Sequence, residues 1–223
     1  MAESPSTRLR RLADPIWEAQ HQHPFVRALG AGNVDHKKFE RWLRQDYLFL
    51  VEYARLLALA AARAPDLETM RKLADLLQAT LSVEMDLHRS YVADFGITAA
   101  DLEAETIAPT TRAYTDFLLR TATLGDFAEL VAALLPCMWG FSEIGRRLAA
   151  GPRPADERYA RWVEMYAAPE FAGLADWCRD LLDRVAGDLQ GEAAERVEAA
   201  FLTSSRYEYL FWDMAERGEQ WPV

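Results

Sequence analysis

Apolar residues recur every three to four positions along nearly the whole chain, and no run alternates with period two around Asn-Gly or Asp-Gly turns, so the pattern predicts an all-α protein. A first helix is expected from about Thr7 to His21 and gives way at His23-Pro24 to a short one, Phe25 to Leu29, ended by Gly30 and Gly32. Asp35 can cap a long helix through Arg63, stopped before Pro65. Asp66 starts another that runs to about Asp94, with Gly96 as its end signal. Thr98 with Asp101, and Asp126 with Glu129, have the spacing of capping boxes. Between them a helix begins at Thr110 or Thr111 and ends at Gly125. The helix after Asp126 stops at Gly151-Pro152-Arg153-Pro154, the longest Gly/Pro break in the chain. Three more follow, about Ala155 to Ala167, Pro169 to Ala186 and Gln190 to Arg217, with Trp221 expected to dock the tail. Helices of nearly 28 residues suit an antiparallel helical bundle, read as one domain over residues 1–223.

The most apolar of these elements carries a thiol. At helical spacing Leu130, Leu134, Cys137, Phe141, Ile144 and Leu148 form one stripe, so Cys137 is expected to face the interior. Pro136 lacks an N–H and should crowd the carbonyl of Ala132, bending the helix beside the cysteine. Taken alone, the stripe suits an inert core thiol, since buried cysteines behave as small hydrophobes.

Composition narrows the partners without dividing the chain. With 51% hydrophobic and 27% charged residues the profile is that of a globular protein. A net charge of −10 and an isoelectric point near 5.0 argue against nucleic acid, whose recognition needs basic surface. The first eight residues contain no apolar core of a signal peptide, and no uncharged stretch reaches the roughly 18 residues of a membrane helix. The expectation is therefore a cytoplasmic protein with no membrane association, and Cys137 and Cys178 are expected as two thiols.

Carboxylates interrupt two other apolar faces. The third helix reads Phe39, Trp42, Leu43, Asp46, Phe49, Leu50, Tyr53 and Leu57, which places Asp46 inside an aromatic seam. A buried charge there needs donors, a metal or a ligand, and a core aspartate held by a neighbouring tyrosine or arginine is the plain alternative. The last helix places Glu208 among Val197, Phe201, Ser204, Phe211 and Trp212. Desolvation would raise the pKa of such a carboxyl and make it a proton donor. Ser205-Arg206-Tyr207-Glu208 also fits a capping box, in which case Glu208 would only restart a helix. Glu84 and His88 lie four apart on an inward face, and mutual satisfaction in the core is preferred to half of a metal site because later helices contain no histidine. Phosphate-loop, dinucleotide, nucleophile-elbow and zinc-ribbon patterns are absent. A thiol and two carboxylates, with Phe49, Tyr53, Tyr114, Trp139, Phe141 and Tyr166, suit a small flat heteroaromatic molecule.

Six segments, in order, carry a resemblance that spans almost the whole chain: Trp17 with His23-Pro24-Phe25, Gln45-Asp46-Tyr47 with Glu52-Tyr53, Glu84-Met85-Asp86-Leu87-His88, Ala108-Pro109-Thr110-Thr111-Arg112-Ala113-Tyr114, Pro136-Cys137-Met138-Trp139-Gly140, and Ser204-Ser205-Arg206-Tyr207-Glu208-Tyr209. Together they resemble the TenA-type thiaminase II family, the aminopyrimidine aminohydrolases of thiamin salvage. The resemblance implies an all-α bundle of the haem-oxygenase-like type, assembled as a homotetramer and working without cofactor or metal. It places the family's nucleophile on Cys137, its catalytic glutamate on Glu208 and its pyrimidine-anchoring aspartate on Asp46. Phe49 takes the stacking position, and Tyr53, Tyr114 and Tyr166 match pocket tyrosines. Phe141 departs from the tyrosine that many members carry four residues after the cysteine.

The implied reaction converts 4-amino-5-aminomethyl-2-methylpyrimidine to the hydroxymethyl pyrimidine and ammonia, and cleaves thiamin by the same route, through a cysteine adduct on a ring carbon. Two other readings are a metal-dependent oxidase on the same scaffold and a non-catalytic pyrimidine-binding regulator.

Overall fold

In a computed structural model of the protein, the described residues are 3–93 and 95–223, excluding the side chains at 83, 84, 86–88, 93 and 99. The Glu84–His88 pair anticipated above therefore lies outside the described side chains. Among the described residues there are eleven α-helices, one π-helical turn and no strand. They group into two compact units.

The first unit comprises Met1–Val34 and Asp126–Asp213. It contains α1 (Pro5–His21), α2 (Pro24–Ala31), α8 (Phe127–Ala149), α9 (Glu157–Ala167), α10 (Pro169–Ala186) and most of α11 (Glu192–Arg217). The helix ends follow cap chemistry. Ser4 caps α1, and Asp126 and Glu129 make both hydrogen bonds of a capping box at α8. Gly32 closes α2 in the left-handed conformation at φ 73°, as a glycine terminator should. α8 packs along α9 and α10, and α1 rests on α10. Leu130 to Pro136, Met138, Gly140, Phe141 and Ile144 are all buried, which accounts for α8 being apolar enough to cross a membrane by composition while 72% of its most apolar stretch lies inside the protein.

The second unit comprises Asp35–Gly125 and Met214–Val223. Asp35 caps α3 (His36–Ala62) through Lys37 and Lys38, and α3 packs against α4 (Leu67–Ala79), α5 (Met85–Ala93) and α7 (Pro109–Leu124). The single helix expected from Asp66 to Asp94 is instead α4 and α5 joined by a π-helical turn, Thr80–Glu84. One residue more per turn shifts the phase of the apolar face without ending the helix, so periodicity alone does not mark it. Thr98 and Asp101 form the anticipated capping box on α6 (Ala99–Glu103). The tail docks through Trp221, whose indole N–H donates to the Ile107 carbonyl at 2.8 Å, although half of the side chain stays exposed.

Candidate active site

The candidate residues fall into two constellations, one in each unit. In the first unit α8 supplies Cys137. Pro136 does not interrupt the helix, which continues from Phe127 to Ala149. Cys137 lies on the inward stripe but is not sealed: from Leu130 to Ser142 every residue is buried except Cys137 and Trp139, which are half-buried. The stripe gave the right face but not the depth, because how far a neighbouring helix covers a position is a tertiary matter. Both cysteines are thiols. Cys178, on α10, is fully buried, and desolvation pushes its thiol up to about 12.

Trp139 sits about 200° around α8 from Cys137, since each residue advances roughly 100°. Its ring meets Trp17 edge-on at 5.2 Å, and the Arg179 guanidinium stacks on it at 4.2 Å. It belongs to the packing of α8 against α1 and α10, and the aromatic group at Cys137 proposed from sequence loses this member. Phe141, one turn beyond Cys137, instead contacts Tyr166 at 5.0 Å and Trp212 at 5.2 Å. Tyr166 also packs on Trp162 at 4.5 Å, and all four rings are buried.

α11 supplies Glu208, which is 3% exposed. The helix runs without a break through Ser205, so the capping-box alternative for Glu208 does not hold. The Ser205 hydroxyl accepts from the Trp17 indole N–H at 3.0 Å, and the Ser205 carbonyl accepts from the Gln20 amide at 3.4 Å. Both partners lie on α1.

Cross-contacts fix the relation of α11 to α8. The Ser204 hydroxyl donates to the Ala133 carbonyl at 2.6 Å, and eight residues further along both helices Phe141 meets Trp212. The offset is 71 positions in both contacts (204 − 133 and 212 − 141), and near the start of α8 the Arg196 guanidinium donates to Glu129 at 2.9 Å. Offsets that stay nearly constant as both chains advance mean parallel helices. Cys137 and Glu208 share the same offset of 71 (208 − 137) and lie one turn past the Ser204–Ala133 bond and one turn before the Phe141–Trp212 contact. The thiol and the buried carboxylate are thus level on adjoining helices.

Beside this constellation, Glu143 on α8 takes hydrogen bonds from the His21 ring at 3.0 Å and from Arg10 at 2.6 Å. Burial pushes its carboxyl up, but those hydrogen bonds and the Arg10 charge outweigh burial and hold it at about 2. Arg10 in turn lies over the Trp17 ring at 4.3 Å. Sequence reading did not single out this part-buried network, because Glu143 lies more than 100 positions from its partners Arg10 and His21.

In the second unit α3 places Asp46, Phe49 and Tyr53 at i, i+3 and i+7, on one face. Asp46 is 4% exposed, as the seam suggested. Phe49 stacks on Tyr53 at 5.6 Å and leans on Tyr114 of α7 at 5.0 Å. Beside Asp46, Gln45 donates to the Thr106 carbonyl at 3.0 Å and accepts from the Ala108 N–H at 2.8 Å, which ties α3 to the start of α7. This constellation offers a carboxylate able to accept N–H groups at the edge of an aromatic wall, chemistry that suits an aminopyrimidine.

Known proteins are similar over nearly the full length. Residues 10–218 match the TENA/THI-4/PQQC family. An aminopyrimidine aminohydrolase of Halalkalibacterium halodurans is 46% identical over 210 residues, 94% of each chain. Among solved structures, a TenA homologue protein from P. horikoshii OT3 superposes with a TM-score of 0.88 at 29% identity, covering 97% of this chain and all of that one. A protein of unknown function from Shewanella denitrificans with a haem-oxygenase-like fold superposes at 0.73, with 14% identity over 95% of this chain and 92% of its own.

Proposed function

Because this chain belongs to the TENA/THI-4/PQQC family and has the haem-oxygenase-like all-α fold, we propose that it is a thiamin-salvage hydrolase. Its substrate in this reading is 4-amino-5-aminomethyl-2-methylpyrimidine, converted with water to the hydroxymethyl pyrimidine and ammonia, and thiamin would lose its thiazole by the same route. The relative from Halalkalibacterium halodurans bears the name of that activity at 46% identity. The observation that carries the reading is the level placement of a half-buried thiol, Cys137, and a buried carboxyl, Glu208, on parallel α8 and α11.

In the proposed sequence the Cys137 thiolate adds to a ring carbon of the pyrimidine, forming a carbon–sulfur bond and pushing electrons into the ring. The adduct expels the amine of the 5-aminomethyl group as its CH2–N bond breaks, and Glu208 supplies the proton that lets it leave as ammonia. Water adds to the exocyclic carbon and loses its proton to Glu208. The ring then returns its electrons, the carbon–sulfur bond breaks, and the thiolate is regenerated. Asp46 accepts hydrogen bonds from the amino and ring N–H groups and stabilises the cationic character of the adduct. Phe49, Tyr53, Tyr114, Phe141 and Tyr166 supply stacking and lining surfaces. A homotetramer in the cytoplasm completes this reading.

The test is incubation of the purified protein with the aminomethylpyrimidine and with thiamin, products being followed by mass spectrometry. Cys137→Ser should keep the wild-type unfolding temperature and lose nearly all turnover. Undiminished activity in that variant removes the nucleophile, and no turnover by the wild type removes the function.

A further inference from the structure

We propose that Ser204 is a positioning residue, holding the Glu208 carboxyl at the level of the Cys137 thiol through its hydrogen bond across to α8. The proposal rests on the catalytic roles assigned above and adds a residue to them. A serine inside a helix ordinarily turns its hydroxyl back to its own preceding carbonyls. Ser204, fully buried, reaches across to the Ala133 carbonyl on the neighbouring helix at 2.6 Å. Ala133 stands one helical turn before Cys137, and Ser204 one turn before Glu208.

Two further contacts between the helices are less directional. Arg196 meets Glu129 through a long side chain that is 50% exposed, and Phe141 meets Trp212 through rings able to slide. The next residue, Ser205, is held from the other side by Trp17 and Gln20, so this turn of α11 is fixed to both α8 and α1. A small apolar residue would fill the position of Ser204 equally well, and a buried hydroxyl is retained at a desolvation cost. What the hydroxyl adds is axial register. A misplacement of about 1 Å between reacting groups is enough to slow a reaction by up to about a hundredfold.

The test is a double-mutant cycle of Ser204→Ala and Glu208→Gln, read by kcat and KM on the aminomethylpyrimidine and by the pH dependence of Cys137 alkylation with iodoacetamide. Alanine is the better helix former and smaller, so the Ser204 variant folds. Ser204→Ala is expected to lower kcat by about tenfold or more with KM nearly unchanged, and to add no further loss in the Glu208→Gln background. Alkylation requires no turnover, and with the Cys178 thiol buried and pushed up to about 12 a single adduct reports Cys137. The Ser204→Ala profile should move from that of the wild type toward that of Glu208→Gln. Additive losses in kcat, a Ser204→Ala profile equal to wild type, or a Glu208→Gln profile equal to wild type would each overturn the proposal. A wild type without turnover whose alkylation profiles still shift together would sink the proposed function and leave the positioning role standing.

Discussion

A Cβ built on Gly145 would stand 2.5 Å from the carbonyl carbon of Tyr166 and 2.7 Å from the nitrogen of Ala167. Gly145 is two turns beyond Cys137 on α8, and Tyr166 lies in the last turn of α9, so the missing side chain lets the backbone of α9 touch α8 directly. This approach brings the Tyr166 ring onto Phe141.

Gly145→Ala therefore sets two effects of opposite sign against each other. Helix propensity favours alanine by about 1 kcal/mol, whereas the clash is with backbone atoms that no rotamer change removes and should cost about 1–3 kcal/mol or more. Net destabilisation is expected, seen as a lower urea midpoint. KM should rise as Tyr166 is displaced. A raised midpoint would show that α9 yields easily and that Gly145 is not a packing requirement.

Glu143 gives an acid dependence whose sign follows from its environment. Its carboxyl is held near 2 against an ordinary value of 4.5, so the charged form stabilises the folded state above the unfolded value. That stability, on the order of 2–3 kcal/mol, is present at neutral pH and is lost as pH falls from about 4.5 toward about 2. Glu143→Gln should be less stable than wild type at pH 7 and should show a flatter decline of urea midpoint with acid over that interval. Parallel acid profiles would remove Glu143 from the account.

Most helix boundaries were legible because caps are local chemistry. Asp35, Asp66, Thr98 with Asp101 and Asp126 with Glu129 each act within four residues of the chain, and each begins a helix as read. The face of Asp46 and Glu208 was legible for the same reason, since periodicity fixes direction around a helix. The π-helical turn was not, because an inserted residue leaves hydropathy high while rotating its phase. Depth at Cys137 was not legible either, and Trp139 was assigned to the wrong side although its two-residue spacing from Cys137 already placed it about 200° away. The shared offset of Ala133–Ser204 and Phe141–Trp212 lies further out of reach, since the relative register of two helices is set by packing rather than by either segment.

The start of α7 shows a cap that local reading misses. Its N-cap position, Ala108, has no side-chain acceptor, and the missing acceptor comes from the tail: the Glu219 carboxylate accepts from the Thr110 N–H at 2.9 Å and the Thr110 hydroxyl at 3.1 Å. Its negative charge also suits the positive end of the helix dipole. Glu219→Ala should cost about 1 kcal/mol, measured as a fall in urea midpoint, with Glu219→Gln intermediate because one acceptor oxygen and no charge remain. Tyr114 sits one turn further along α7 and bears on Phe49, so loss of the cap should also raise KM more than it lowers kcat. If Glu219→Ala matches wild type in both midpoint and KM, the tail does not hold α7, and the contacts of Gln45 with Thr106 and Ala108 alone suffice to place it.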